Sequence, residues 1–140
     1  MKQYSSKSAK ETKEIAAHLA KKTAQTIIAL NGNLGAGKTT FVQGFAKGLG
    51  IKEKIISPTF VLIRQHKVPN SEKMLYHIDL YRIENSKDFK LMGLEEILSN
   101  PNNIVLIEWA EKINSLLPEN TLKINLERKE SNNTHLITIS

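Results

Sequence analysis

The chain has 140 residues, a length that predicts a single domain over residues 1–140 with a buried core. It contains no cysteine, which excludes disulfides, thiolate catalysis and cysteine metal sites. The formal net charge of +6 would suit binding to a nucleic acid or an acidic partner. The lysines are scattered, however, and no stretch resembles an RNA-binding module, so we interpret the charge as that of a solvated protein surface.

The N-terminal segment is polar and leads into a predicted helix. Residues 1–7 lack the apolar core of a signal peptide, and no apolar run approaches the length of a membrane span. We therefore expect a cytoplasmic protein without a membrane partner. Ser8 and Glu11 then form a capping box, and the apolar residues after it recur at helical spacing, which predicts a helix over residues 8–22.

The next stretch carries the strongest functional pattern of the chain. Residues 26–30 are a short apolar run typical of a buried parallel strand. An apolar stripe at helical spacing over residues 41–49 predicts a helix further on, with Gly48 and Gly50 as its stop. The loop between them fits the phosphate-binding pattern G-x-x-x-x-G-K-[ST], and its residues are Gly32, Asn33, Leu34, Gly35, Ala36, Gly37, Lys38, Thr39 and Thr40.

The chemistry of phosphate binding requires these residue types at these positions. Glycines let the backbone turn its N–H groups toward phosphate oxygens, and the helix that follows adds the positive end of its dipole. Lys38 supplies a positive charge for the β- and γ-phosphates, and the Thr39 hydroxyl can ligate Mg²⁺. The loop therefore predicts a site for a nucleotide with Mg²⁺.

The middle of the chain predicts a hairpin followed by short helices. Residues 60–66 and 74–81 read as strands joined through a turn-rich segment, which favours an antiparallel pair. Pro58 excludes a central strand position just before them. Residues 86–99 predict one or two short helices broken near Gly93.

The second strongly apolar run, residues 103–109, predicts a central parallel strand that ends in the carboxylate of Glu108. Ligands of open α/β sheets bind outside the carboxyl ends of the strands, so we expect Glu108 at the same edge as the glycine loop. Residues 121–126 and 134–139 alternate apolar and polar side chains, which predicts a C-terminal hairpin. The predicted fold is α/β, a P-loop NTPase-like central sheet with flanking helices and added antiparallel hairpins.

Hydrolysis of a nucleotide needs more than a phosphate loop. It requires an acidic residue for Mg²⁺ and a group that orients the attacking water, and Asp79 and Glu108 are the carboxylates at or near the ends of apolar strands. Thr59 lies in a proline-containing loop that suits either nucleotide sensing or simple turn chemistry. His77 shares a strand face with Asp79, which favours a structural hydrogen bond, and Trp109 could stack on a base or a partner or pack in the core.

Two other functional classes are not supported. The histidines have no metal-ligand spacing, and His18 and His66 are predicted to face solvent. A GTPase is disfavoured because the guanine-reading pattern is N-K-x-D, whereas residues 85–88 read Asn-Ser-Lys-Asp, with the lysine one position late. Asp79 is also not followed by two residues and a glycine.

Four motifs together resemble the bacterial TsaE family, also called YjeE: residues 32–40, 57–60, 77–82 and 107–109. Their order and spacing are preserved, and the resemblance runs from about residue 11 to residue 117. It implies an α/β ATPase, with ATP and Mg²⁺ bound, that is required for threonylcarbamoyladenosine in tRNA. The implied partners are the TsaD and TsaB proteins, which modify the tRNA adenosine while the ATPase resets their complex, so that its own contact with tRNA would be indirect.

The resemblance also implies roles for individual residues. Lys38 would hold phosphate, Thr39 and Glu108 would hold Mg²⁺, and Asp79 would belong to the hydrolytic centre together with Lys38 and Glu108. Thr59 would lie in a nucleotide-sensing loop.

Trp109 would belong to the nucleotide or partner site by the same resemblance. One departure from the family is visible, since Asn33 stands where the family loop usually has aspartate. Backbone N–H groups contribute most at that position, so we still expect ATP to bind, while a role for the missing carboxylate is put in doubt.

Two alternatives remain open. A small-molecule kinase usually closes a cationic lid over the transferred phosphate, and this chain has only Arg64, Arg82 and Arg128. A nucleotide-dependent adaptor that does not hydrolyse would keep the loop but would not need Asp79 and Glu108 at the strand edge.

Overall fold

A computed structural model describes residues 2–33, 35–56, 63–83 and 93–140 of the chain. The strands within these residues are β1 (Lys2–Ser6), β2 (Ile27–Asn31), β3 (Ile63–Lys67), β4 (Met74–Asp79), β5 (Asn103–Glu108), β6 (Leu122–Lys129) and β7 (Thr134–Ile139). The helices are α1 (Ala9–Lys22), α2 (Lys38–Gly48), α3 (Leu94–Ser99) and a kinked 3₁₀ segment (Ala110–Leu116). None of the helices in the described residues is long and apolar enough to cross a membrane.

The described strands form one sheet in the order β1-β7-β6-β2-β5-β4-β3. β6, β2, β5 and β4 run parallel, whereas β3 pairs antiparallel with β4, and β7 pairs antiparallel with both β6 and β1. The predicted fold class and both predicted hairpins are therefore confirmed. The strand before the glycine loop lies in the middle of the sheet, with the strand that ends in Glu108 beside it.

Burial on both faces explains the unbroken apolar runs 27–30 of β2 and 104–107 of β5. Along β2, Ile28 and Leu30 pack into a core with α1 and α2, while Ile27 and Ala29 pack into a second core with the 3₁₀ segment. Alternate side chains of a strand point to opposite faces, so a strand covered on both sides needs apolar residues at successive positions. This double cover holds the carboxyl ends of β2 and β5 in a fixed position beside each other.

α1 begins where the capping box predicts. The Ser8 Oγ accepts a hydrogen bond of 3.1 Å from the Glu11 N–H, and the Glu11 carboxylate accepts one of 2.8 Å from the Lys7 N–H, one residue earlier than in the standard box. α1 packs closely against α2, because glycine at 44 and at 48 leaves room there for the α1 backbone. α1 therefore supports the helix that follows the glycine loop.

Three features differ from the sequence expectations or extend them. β1 was not expected, since its side chains are polar and mostly exposed, and it is held by backbone pairing with the edge strand β7. The prediction that His66 faces solvent is wrong, because the side chain is buried and its Nδ1 forms a hydrogen bond with the Glu53 carboxylate. Of the helices predicted over residues 86–99, α3 is present, while residues 86–92 lie outside the described part of the chain.

Candidate functional site

The glycine loop connects β2 to α2 and brings the start of that helix to the carboxyl edge of the sheet. Gly32 has φ of 152°, and a Cβ there would lie 2.5 Å from the Leu126 carbonyl oxygen, so only glycine fits. Gly37 precedes α2 with a left-handed φ of 100° and provides no side-chain cap. The first N–H groups of α2 therefore have no capping side chain, as an anion site at a helix N-terminus requires.

Lys38 is folded back over its own loop. Its Nζ donates to the carbonyl oxygens of Gly32 and of Asn33, the latter at 3.2 Å, and lies 4.1 Å from the centre of the Trp109 ring. Burial lowers the pKa of Lys38 below its ordinary value of 10.5, although the negative charges of Glu108, Glu111 and Asp79 oppose that effect. The lysine is thus a buried cation held by groups that a phosphate could replace.

Asp79 and Glu108 lie side by side because they end two paired parallel strands. They are the last residues of β4 and β5 and are direct register partners. Glu108 is only 3 % exposed, and each of its carboxylate oxygens lies 3.5 Å from the Thr39 Oγ1. The sheet therefore brings the predicted carboxylates to the first turn of α2.

The surroundings of Asp79 act on the pKa of its carboxyl group in both directions, with a net rise. Burial raises its pKa above the ordinary value of 3.8, and the negative charge of Glu108 adds to this. The Tyr81 N–H, which donates to Asp79 Oδ1 at 3.0 Å, acts in the opposite direction, as do the charges of His77 and Lys38. His77 itself makes the structural hydrogen bond predicted for it, with Glu108 as the partner.

Trp109, the residue after Glu108, lines the site and contacts Lys38. It has a left-handed backbone with φ of 61°, its N–H donates to the Leu30 carbonyl at 3.2 Å, and its ring lies 5.0 Å from the ring of Tyr81. A non-glycine residue in this conformation is uncommon, and here it turns the chain sharply after β5. Trp109 therefore faces Lys38 at the sheet edge and does not continue the strand.

These residues surround a cavity of 390 Å³ at the carboxyl edge of the sheet. Of the predicted site residues, Gly32 and Ala36 line another cavity, while Leu34 and Thr59 lie outside the described residues. A larger hollow of 680 Å³ between α2 and the segment after it contains none of the predicted site residues. The residues that line the smaller cavity are Asn33, Gly35, Gly37, Lys38, Thr39, Thr40, Asp79, Tyr81, Glu108 and Trp109.

The sequence assigned no role to three residues that contact this region. The Tyr81 ring lines the cavity, and the Lys112 Nζ donates to the Tyr81 carbonyl at 2.6 Å and to the Ile83 carbonyl at 2.9 Å. His135 on β7 forms a hydrogen bond of 3.0 Å between its Nδ1 and the Ala36 carbonyl in the glycine loop. The position of Tyr81 two residues after Asp79 was an available signal, but nothing local marks Lys112 or His135.

The donor set suits Mg²⁺ with a phosphate. Mg²⁺ prefers oxygen ligands and is usually held by one or two carboxylates together with substrate phosphates and waters. Thr39 and Glu108 supply one hydroxyl and one carboxylate, and no group of three or more histidine, aspartate or glutamate side chains in the described part of the chain could hold a metal by itself. A metal here would therefore depend on phosphate oxygens for further ligands.

Three features define a P-loop NTPase-like α/β protein: the parallel strands at the centre of the sheet, the loop after β2 and the paired carboxylates. The family model described as Threonylcarbamoyl adenosine biosynthesis protein TsaE matches residues 6–136. The chain therefore belongs to the TsaE family.

Relatives and a solved structure agree with this assignment. The tRNA threonylcarbamoyladenosine biosynthesis protein TsaE of Haemophilus influenzae is 39 % identical over 72 % of this chain and 62 % of its own length. The TsaE protein of Treponema pallidum is 44 % identical over 72 % of each chain. The crystal structure of Bacillus subtilis YdiB superposes with a TM-score of 0.79 at 33 % identity, covering 99 % of this chain and 83 % of that one.

Proposed function

We propose that the chain binds ATP with Mg²⁺, hydrolyses it, and acts in the cytoplasm in the synthesis of threonylcarbamoyladenosine on tRNA. This proposal rests on one observation: the same cavity is lined by two residues at the start of α2, Lys38 and Thr39, and by the carboxylates at the ends of two paired parallel strands, Asp79 and Glu108. A phosphate loop that faced no carboxylates would suit binding alone. The names of the relatives support the assignment to tRNA modification.

The phosphate groups of ATP would bind at the loop and the N-terminus of α2. Backbone N–H groups after Gly37 would donate to phosphate oxygens, and the Lys38 ammonium would exchange the Gly32 and Asn33 carbonyls for the β- and γ-phosphates. Because the Lys38 ammonium already lies over the loop, this exchange would need little side-chain reorganisation. The loop backbone makes these contacts, so the amide at Asn33 in place of the family's acid is compatible with binding.

Thr39 and Glu108 would hold Mg²⁺, which supplies neutralisation of the charge that develops on the phosphates during hydrolysis. Glu108 would keep its carboxylate directed at the Thr39 hydroxyl. Asp79 would accept a hydrogen bond from the attacking water and orient it, since it lines the same cavity and its carboxyl group is held by the Tyr81 N–H. Trp109 would close the side of the site and exclude bulk water from Lys38.

We propose that the output of this nucleotide site is a change of conformation delivered to a TsaD–TsaB complex. Thr59 and its loop would respond to the γ-phosphate, so that the ATP-bound state binds the complex better than the ADP-bound state. Hydrolysis would be faster within the complex, since isolated switch ATPases often lack part of their catalytic set. Contact with tRNA would be indirect.

The direct test is release of phosphate from ATP, with Mg²⁺ or with EDTA, in the presence and absence of TsaD and TsaB. Lys38→Ala should abolish turnover or nucleotide binding, whereas Lys47→Ala, an exposed lysine of the same helix, should behave as the wild type. Unchanged ATP affinity and turnover in a folded Lys38→Ala protein would overturn the proposal.

Product analysis and binding titrations with the same proteins separate the alternatives. A nucleoside or sugar that became phosphorylated would identify a kinase. Nucleotide binding without turnover, in the presence of both partner proteins, would identify an adaptor. Equal affinity of TsaD–TsaB for the ATP-, analogue- and ADP-bound forms would remove the switch from the proposal.

A further inference from the structure

His77 is a buried polar side chain that makes direct contact with the proposed metal carboxylate. It is 0 % exposed, on β4, and its Nε2 lies 2.5 Å from Glu108 Oε2. The same carboxylate has both oxygens 3.5 Å from the Thr39 hydroxyl. His77 thus contacts Glu108 from within the core, while Thr39 approaches it from the cavity.

The register of the sheet explains this contact. Asp79 is paired with Glu108, and His77, two residues earlier on the same face of β4, is the diagonal neighbour of Glu108. Both side chains are on this face of the parallel pair, and they are long enough to form a hydrogen bond across it. The glutamate can therefore meet the imidazole without leaving the end of its strand.

The bond restricts the carboxylate. A carboxylate oxygen only accepts, so the His77 Nε2–H donates to Oε2, and the ring that donates is fully buried on β4. Groups behind a metal ligand orient it, and their loss typically weakens metal binding by about 10- to 100-fold. We propose that His77 is a positioning residue that holds the Glu108 carboxylate in the orientation that receives Mg²⁺, an inference that rests on the proposed nucleotide site.

A packing role alone does not account for this histidine. Its Nδ1 is buried without a hydrogen-bond partner among the described residues, and a buried polar atom without a partner costs free energy that an apolar side chain would avoid. The Glu108 contact is the one hydrogen bond of the ring within the described residues. The function of the ring therefore lies in what it does to that carboxylate.

The test compares His77→Leu, which removes the donor, with His77→Gln, which can place an N–H near the position of Nε2. Calorimetry would measure ADP binding in EDTA and at increasing Mg²⁺, so that the Mg²⁺-dependent part is separated from binding of the nucleotide alone. We expect His77→Leu to weaken the apparent Mg²⁺ affinity by about 10-fold or more and to leave ADP binding in EDTA unchanged. His77→Gln should recover most of that loss.

His66→Leu is the matched control, because His66 is also a buried histidine of the same hairpin bonded to a glutamate, Glu53, that lies outside the cavity lining. It should lose stability and keep the wild-type Mg²⁺ dependence. Wild-type Mg²⁺ dependence in folded His77→Leu, or an equal loss in EDTA, would overturn the inference. An absence of Mg²⁺-dependent binding in the wild type would instead remove the proposed function.

Nitrogen NMR of the wild-type protein tests the same contact without any variant. The Nε2 of His77 should carry a proton, and its resonance should shift when Mg²⁺ is added to the ADP-bound protein. A ring protonated at Nδ1 alone would exclude donation to Glu108 and overturn the inference even if every His77 variant failed to fold.

Discussion

Gly44→Ala tests whether close packing between α1 and α2 supports the loop helix. A Cβ at Gly44 would lie 2.4 Å from both the Cα and the carbonyl oxygen of Lys13, where real Cβ atoms stay beyond 3.0 Å. These are backbone atoms, so no side-chain rotation can remove the overlap. The two helices must move apart, and the core between them loses part of its contact.

Two opposing effects decide the magnitude. Alanine is better than glycine within a helix by about 1 kcal/mol, whereas overpacking a tight contact costs about 1–3 kcal/mol. Because the added Cβ at Gly44 overlaps with backbone atoms, which cannot rotate away, we expect an overpacking cost in the upper part of that range. The expected net loss is about 2 kcal/mol in the free energy of unfolding, or a fall in Tm of about 5–10 °C.

Circular dichroism with thermal and urea unfolding would measure this loss. Lys47→Ala, at an exposed position of the same helix, is the control and should stay within about 0.5 kcal/mol of the wild type. Gly48→Ala should lose stability like Gly44→Ala, since its Cβ would lie 2.5 Å from the Ala17 carbonyl oxygen. A Gly44→Ala protein as stable as the wild type would show that the helices separate at no cost and would refute this reasoning.

Three further predictions concern the site. Glu108→Gln should lower Mg²⁺-dependent hydrolysis by roughly 100-fold, measured as phosphate release, while calorimetry finds a much smaller loss of nucleotide affinity. Asp79→Asn should raise Tm at pH 7 in EDTA, because burial raises the pKa of Asp79 in the folded protein above 3.8. The folded state then holds this proton more tightly than the unfolded state, so ionisation of Asp79 lowers the stability of the wild type as the pH rises from about 3.8 through the folded-state pKa, a contribution that the variant lacks. The fluorescence of Trp109, the one tryptophan of the chain, should change when ADP is titrated, because Lys38 lies 4.1 Å from the ring centre and would move toward phosphate.

Each of these predictions can fail separately. Equal losses of binding and hydrolysis in Glu108→Gln would make Glu108 a structural residue. Parallel curves of Tm against pH for the wild type and Asp79→Asn would contradict the effect of burial on Asp79. Constant emission of Trp109 at saturating ADP, with binding established by calorimetry, would mean that Lys38 stays on its loop.

The sequence by itself determined the features that depend on local patterns. The fit of residues 32–40 to a phosphate loop, the start of α1 at Ser8 and the apolar strand ending in Glu108 all follow from neighbouring residues, because turns, caps and burial on both faces each impose a short pattern. The meeting of Asp79 and Glu108 at one edge was also accessible, since parallel strands place their carboxyl ends together.

Only the tertiary structure decided which distant residues contact one another. The placing of the Lys38 ammonium over Trp109, the bond from His77 to Glu108 and the bond between His135 and Ala36 join positions far apart in the chain. The hydrogen bond of the buried His66 likewise joins β3 to Glu53, in the segment after α2. Local pattern fixes the backbone state of a segment, but a side chain's partners depend on strand order and register. Those are set by the packing of the whole sheet, which no short stretch of sequence specifies.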